Sequence, residues 1–206
     1  MSSTCEYTEE SLIKHYNNQI TTFGPNTDAL QWHSKFTQHQ RYKVICNQIQ
    51  ESNMSILDVG CGCGDLYDYI KTNNYPLNYT GIDISANMII SAQKAYPSGN
   101  FKCLSLSEIC INNKFDYIIA SGVFNLRMKN HLNTMVTHIQ TMLKKANKAV
   151  IINFLSHKVA KWSKSNEFVY TNPKEVLPHF TNYNYQLIDK YLPNDITLIL
   201  SEKQNK

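Results

Sequence analysis

Two regimes of apolar spacing divide the chain. Over Tyr7–Ile20 and Ala29–Ile49 apolar residues recur at roughly helical spacing, with Phe23-Gly24-Pro25-Asn26 as the turn signal between them. From Ser55 onward, short apolar runs alternate with helical segments. Ser55–Val59 runs into a glycine and reads as a buried strand. Asp65–Thr72 reads as a helix, Tyr79–Ile84 as a second strand, and Ser85–Ala95 as a helix with Ser85 as its N-cap. Phe101–Leu104 and Phe115–Ala120 are further strands, followed by the long amphipathic helix Asn130–Lys145 and the strand Ala149–Leu155. Asn172-Pro173-Lys174-Glu175 opens another helix: Asn caps, Pro sits in the first turn and Glu follows three residues after the cap. Tyr185–Tyr191 and Asp195–Leu200, joined by Leu192-Pro193-Asn194, predict an antiparallel hairpin.

Strands alternating with helices predict an α/β fold: a doubly wound, mostly parallel, seven-stranded sheet with a C-terminal antiparallel hairpin. Residues 1–52 then form an N-terminal helical extension and residues 53–206 the sheet domain. Ligands of such sheets bind beyond the carboxyl ends of the strands, near the point where strand order reverses.

Composition narrows the class. The 206 residues, 42% hydrophobic and 11% aromatic, suit one globular domain. The polar start, with Glu6, Glu9 and Glu10, does not read as a signal peptide. Ala149–Ile152 and Ile196–Leu200 are too short to span a bilayer. A cytoplasmic protein with no membrane partner is expected. The net charge of +4 permits an acidic or nucleic-acid partner and demands neither. Lys144, Lys145 and Lys148 read as the cationic end of a helix. Six cysteines without CxxC spacing predict reduced thiols and no metal site. Nothing in the pattern fixes an oligomeric state.

The chemistry concentrates where the first strand meets its helix, in Asp58-Val59-Gly60-Cys61-Gly62-Cys63-Gly64-Asp65. Glycines let the backbone turn sharply and let a ligand approach it closely, and the helix N-terminus offers unpaired N–H groups. A dinucleotide site wants its third glycine three places after the second. Asp65 stands there and would face a pyrophosphate, so a dinucleotide fits poorly. Asp83 ends the second strand, where an acid can accept bonds from both ribose hydroxyls.

The acid with G-x-G-x-G in a strand–turn–helix setting resembles the first motif of class I S-adenosylmethionine-dependent methyltransferases. The likeness runs from about Met54 to Leu200. It implies the Rossmann-like fold of that family and S-adenosyl-L-methionine as cofactor. It would place Asp58 near the methionine amino group, Gly60, Cys61, Gly62 and Gly64 along the methionine and ribose, and Asp83 on the ribose. Ile84 and Met88 would flank the adenine. Ser105, beside Leu106, replaces the acid that the family often sets at the adenine edge. Ser121 and Gly122 open the loop that adjoins the transferable methyl; it carries neither Asn/Asp-Pro-Pro-Tyr/Phe nor a Pro-Cys pair. The segments Phe23-Gly24-Pro25-Asn26, Ala29–His33, Ser121–Arg127 and Tyr191–Asp195 resemble a group of small stand-alone methyltransferases.

Methyl transfer from a sulfonium needs alignment and exclusion of water more than a fixed catalytic motif. Candidate catalytic residues are Tyr16, His33 and His157, each set against an ordinary packing or loop role. Tyr16, Trp32, His33, Phe124 and Arg127 are candidate acceptor contacts, and aromatic faces among them could also steady the sulfonium. Arg127 could bind an acidic acceptor group or the cofactor carboxylate, and Arg41 the cofactor carboxylate. A small-molecule O- or N-acceptor is the expected partner. An RNA or protein acceptor, or a catalytically silent cofactor-binding subunit, stays open. The N-terminal helices are expected to form a lid over the methyl end.

Overall fold

A computed structural model describes residues 6–24, 34–110, 112–160 and 164–203. Helices α1 (Glu9–Phe23) and α2 (Lys35–Asn47) precede an alternating core. The core runs β1 (Met54–Val59), α3 (Asp65–Thr72), β2 (Leu77–Asp83), α4 (Ala86–Ala95) and β3 (Phe101–Cys103), then β4 (Phe115–Ser121), α5 (His131–Lys145) and β5 (Ala146–Leu155). A short helix α6 (Pro173–Val176) leads to β6 (Tyr183–Ile188) and β7 (Asp195–Glu202).

The seven strands lie in the order β3-β2-β1-β4-β5-β7-β6. All neighbours pair in parallel except β7, which is antiparallel to both β5 and β6. The chain steps outward from β1 through β2 to β3, then returns to place β4 on the other flank of β1. The carboxyl ends of β1 and β4 therefore frame the switch point.

Strand alternation divides the core. Ile56, Ile119 and Ile151 face Tyr42 and Ile45 of α2, Leu66 and Ile70 of α3, and Ile89 of α4. Their neighbours Leu57, Ile118, Val150 and Ile152 face Met135, Ile139 and Met142 of α5 and Val176 of α6. Each such side chain contributes about 1.5–3 kcal/mol by leaving water. The caps follow the sequence signals: Ser85 Oγ accepts the Met88 N–H, and Asn172 Oδ1 accepts that of Lys174.

Four strands begin earlier than their apolar runs, β1 at Met54 and β2 at Leu77 among them. β5 starts at Ala146, because Ala146 pairs with Phe115 while polar Asn147 and Lys148 interrupt the apolar pattern. β6 starts at Tyr183, paired with Glu202, and stops at Ile188. Tyr191, expected at its end, instead places its hydroxyl between Asn153 and Thr197.

The N-terminal helices are two different things. α2 packs on α3 and β7 and buries Gln38, Arg41, Tyr42, Ile45 and Cys46. α1 packs on α4 at the strand ends and buries only Leu12 along its length. None of the described helices is long and apolar enough to cross a membrane.

Candidate functional site

A cavity of about 490 Å³ opens at the carboxyl ends of β1, β2 and β4. The glycine loop forms one wall. Gly60, Gly62 and Gly64 have φ of 71°, 54° and 88°, a region that side chains resist. A Cβ on Gly60 would stand 2.6 Å from Val123 Cγ2, and one on Gly64 2.9 Å from the Phe101 ring. The N–H groups of Gly60 and Cys61 both donate to the Ile82 carbonyl, at 2.8 and 3.0 Å, which ties the loop to the end of β2.

Asp83 is gripped from two sides. Its Oδ2 accepts the Gly62 N–H at 3.0 Å and its Oδ1 the Ser85 N–H at 2.8 Å. Each oxygen keeps a further lone pair, so the carboxylate borders the cavity as a fixed, two-pronged acceptor. Burial raises its pKa, opposed by the N–H bonds of Ser85, Gly62 and Ile84. Asp58, also buried, takes a 2.7 Å bond from the Tyr79 hydroxyl. Burial pushes its pKa up to about 7; the Tyr79 bond opposes this, while Asp83 and Asp65 add to it. Burial also raises Asp65, which accepts a 3.3 Å bond from Gln38 Nε2. Three carboxyl groups thus converge on one end of the cavity, where a cationic ligand group would be favoured.

Ile84, Met88, Leu104, Ser105 and Leu106 form the wall beside Asp83. The Ser105 hydroxyl is 2.8 Å from that of Ser107, and its N–H donates to Glu108. Cys63 is a buried thiol against the Met88 sulfur, pushed up to about 12 by burial, and burial likewise raises Cys61. Both stay protonated, as fillers beside glycine. Ser121 Oγ is buried without a hydrogen-bond partner on the cavity wall.

A belt of extended backbone roofs the opening. The Tyr7 N–H donates to the Arg127 carbonyl and its carbonyl accepts the Lys129 N–H, both at 2.8 Å. The Arg127 N–H donates to Glu167, and the Val169 N–H to Asn125. Further along, the Thr171 N–H donates to Leu155 and the Ser156 N–H to Asn194. Leu12 and Tyr16 of α1 pack with Leu126, Met128 and Phe168 of this belt and with Ile84. The Ser85 hydroxyl donates to Asn17 Oδ1 at 2.7 Å and anchors α1 to the start of α4. Burial, then the charge of Asp83, holds the Tyr16 phenol far above its usual pKa.

The cavity gathers Asp58, Gly60, Cys61, Gly62, Asp83, Ile84, Met88, Ser105, Leu106, Ser121, Gly122, Arg41, Tyr16 and Phe124 from the sequence candidates. Gly64 does not line it and instead opens α3 in a left-handed conformation. Arg41 lines the cavity, but its guanidinium is bonded to Asp195, Nε to Oδ1 at 2.6 Å and Nη2 to Oδ2 at 2.9 Å. Arg127 lies outside the lining and donates to the Asn166 and Phe168 carbonyls. His157 lies outside it as well, and its carbonyl accepts Lys164 Nζ. Trp32 and His33 fall outside the described residues.

Several lining residues carry no motif. Among them are Thr37, Thr134, His138 and Tyr170. His138 Nδ1 is 2.8 Å from the Thr134 carbonyl. A carbonyl only accepts, so Nδ1 carries the proton, and in the neutral ring Nε2 keeps its lone pair. The i, i+4 spacing of Thr134 and His138 on the amphipathic α5 was the signal available for this pair.

Residues 57–148 match a family model described as a methyltransferase domain. A putative methyltransferase of Mycobacterium tuberculosis, Rv1506c, is 36% identical over 95 residues, covering 46% of this chain and 57% of its own. The chain spans about half the length of the curated relatives it matches first. Among solved structures, magnesium protoporphyrin IX methyltransferase (ChlM) of Synechocystis PCC 6803, with bound SAH, superposes with a TM-score of 0.66. It is 13% identical, and the match covers 95% of each chain. The [4+2]-cyclase SpnF superposes with a TM-score of 0.72 at 12% identity, over 97% of this chain and 98% of its own. At such identities the structural likeness is one of fold.

Proposed function

We propose that this chain, whose residues 57–148 match a methyltransferase domain, is a class I S-adenosylmethionine-dependent methyltransferase that methylates an oxygen or nitrogen of a small molecule. The carrying observation is Asp83, held by two backbone N–H bonds at the cavity wall beside a glycine loop that a Cβ would fill. That carboxylate suits a ribose diol, and Asp58 with Asp65 suits an ammonium group nearby. The unpartnered Ser121 hydroxyl is a further polar contact for the ligand. S-adenosylmethionine, when bound, supplies an electrophilic methyl on a sulfonium.

The protein's own part is to bind, orient and exclude water. Gly60, Cys61 and Gly62 offer backbone for close approach, and Ile84 with Met88 an apolar wall for a base. The backbone roof keeps water from the reacting end. α1 serves as the lid, a narrower element than the whole N-terminal segment. The raised Tyr16 phenol makes it a hydrogen-bond donor or an aromatic wall, not a base. Where the acceptor must lose a proton, His138 is the cavity-lining imidazole among the described residues, and its Nε2 would take it. The roof supports a small acceptor over a nucleic-acid strand or a folded protein.

Calorimetry tests the first step. S-adenosylhomocysteine should bind and NAD should not; NAD binding without the methyl cofactor products would refute the reading. Methyl-labelled S-adenosylmethionine should then mark a metabolite-extract fraction, not total RNA. Cofactor binding with no acceptor labelled in either would point to a silent binding subunit.

A further inference from the structure

The cavity has a second end, over β5 and β7, which the glycine loop does not reach. Leu155 and Val159 at the exit of β5, Phe168 and Tyr170 in the following loop, and Leu192 and Pro193 before β7 line it. Resting on the methyltransferase reading, we infer that this end takes an uncharged, largely apolar acceptor and rejects acids and amines of the same skeleton.

Charge carries the argument. Among the described residues that line the cavity, Arg41 is the one arginine, and no lysine joins it. Arg41 and Asp195 bond bidentately and are both buried, at 5% and 2% side-chain exposure, so the pair presents no net charge. Among the described lining residues an anionic acceptor would meet no lysine and no arginine but the paired Arg41, and Asp58, Asp65 and Asp83 line the same cavity by the glycine loop. A cationic acceptor would lose its water against leucine, valine and phenylalanine.

Two of the polar oxygens nearby already accept a backbone N–H. The Tyr170 hydroxyl accepts the Ser165 N–H at 2.9 Å, and Asn125 Oδ1 accepts that of Leu155 at 3.1 Å. The roof strands bond one another laterally through Tyr7, Asn125, Arg127, Glu167 and Val169. Size adds a bound. About 490 Å³ must take a nucleoside with its amino-acid arm as well as the acceptor, so only a small skeleton, or the end of a larger one, fits.

The test uses the full chain saturated with S-adenosylhomocysteine and two sets of probes that differ only in charge. One set is cyclohexanol, cyclohexanecarboxylate and cyclohexylamine; the other is indole, indole-3-acetate and tryptamine. Methyl NMR should show the neutral probes shifting Leu155, Val159 and Leu192. Both charged partners should bind about tenfold more weakly or worse. Leu192→Asp, on an exposed loop, should abolish the neutral shifts and leave S-adenosylhomocysteine binding intact. Val159→Asp is a second, more buried probe of the same wall. Equal or tighter binding of a charged partner, or no shift with either neutral probe, overturns the inference. Failure of S-adenosylhomocysteine to bind at the outset would instead strike the methyltransferase reading itself.

Discussion

The two ends of the cavity are built by different means. At the β1–β2 end, much of the lining comes from two short segments, 58–66 and 82–88, each at a strand-to-helix turn, with 104–106 and α1 beside them. At the β5–β7 end it comes from the segment 125–128, the exit of β5, the loop at 168–170 and the residues before β7, while α2 reaches both ends through Gln38 at Asp65 and Arg41 at Asp195. The first end is fixed by backbone: positive φ at three glycines and N–H groups aimed at one carboxylate. The second is fixed by side chains that meet across the chain, such as Arg41 and Asp195, 154 residues apart. Backbone geometry has few solutions and leaves a motif. Long-range packing has many, and it is where related chains of one fold can diverge in what they accept.

The comparison breaks most visibly at Asp83. Asp83→Ala removes the two-pronged acceptor, and each bond to a charged group is worth about 1.5–3 kcal/mol. S-adenosylhomocysteine affinity should fall on the order of a hundredfold or more by calorimetry, with the circular dichroism spectrum unchanged. An unaltered dissociation constant would mean that the carboxylate serves the loop alone, through Gly62 and Ser85.

At the other end the largest effect is expected on stability. Arg41→Met leaves Asp195 buried and unpaired, at a cost of about 3–5 kcal/mol. Denaturant unfolding should show it. The double change Arg41→Met with Asp195→Leu should recover most of that loss, because a buried pair replaced by apolar residues is often neutral. Loss of stability in the double variant equal to that in the single one would assign Asp195 a larger role, through Asn153 Nδ2 at 3.4 Å.

This contrast also explains what could be read before the structure. Asp65–Thr72 and the Ser85 cap follow from glycine, acid and hydroxyl signals within a few residues, and the structure matches both. The doubly wound order follows from the alternation of short apolar runs with helices. The start of β5 did not follow, because Asn147 and Lys148 hide a ladder set by Phe115. Arg41 was expected to hold the cofactor's carboxylate, whereas its guanidinium is bonded to Asp195. Nothing local to residue 41 announces a partner on β7. His138 carries no motif either: its neighbours Phe124 and Thr134 give it a place in the cavity only once α5 lies against the sheet.

The smallest and sharpest probe returns to the first end, through protons. Burial holds Asp58 at about 7, well above an exposed aspartate. Its folded pKa exceeds the unfolded one, so its protonated form favours the folded state at low pH. That contribution is lost as pH rises from about 4 through about 7. An ammonium group placed beside Asp58 favours the charged form, so ligand binding in this range must release a proton. S-adenosylhomocysteine affinity should therefore rise between about pH 5 and 7, by no more than about tenfold per pH unit for one proton, and level off above. Calorimetry in buffers of different ionisation enthalpy would count the proton directly. Asp58→Asn should flatten the profile and weaken binding at pH 8. Tyr79→Phe deletes the one side-chain bond that holds the Asp58 pKa down, so it should move the rising limb to higher pH while leaving the plateau close to that of the parent. If Asp58→Asn keeps the parent's slope, the proton belongs to another group, and the acid before the glycine loop braces Tyr79 without meeting the ligand.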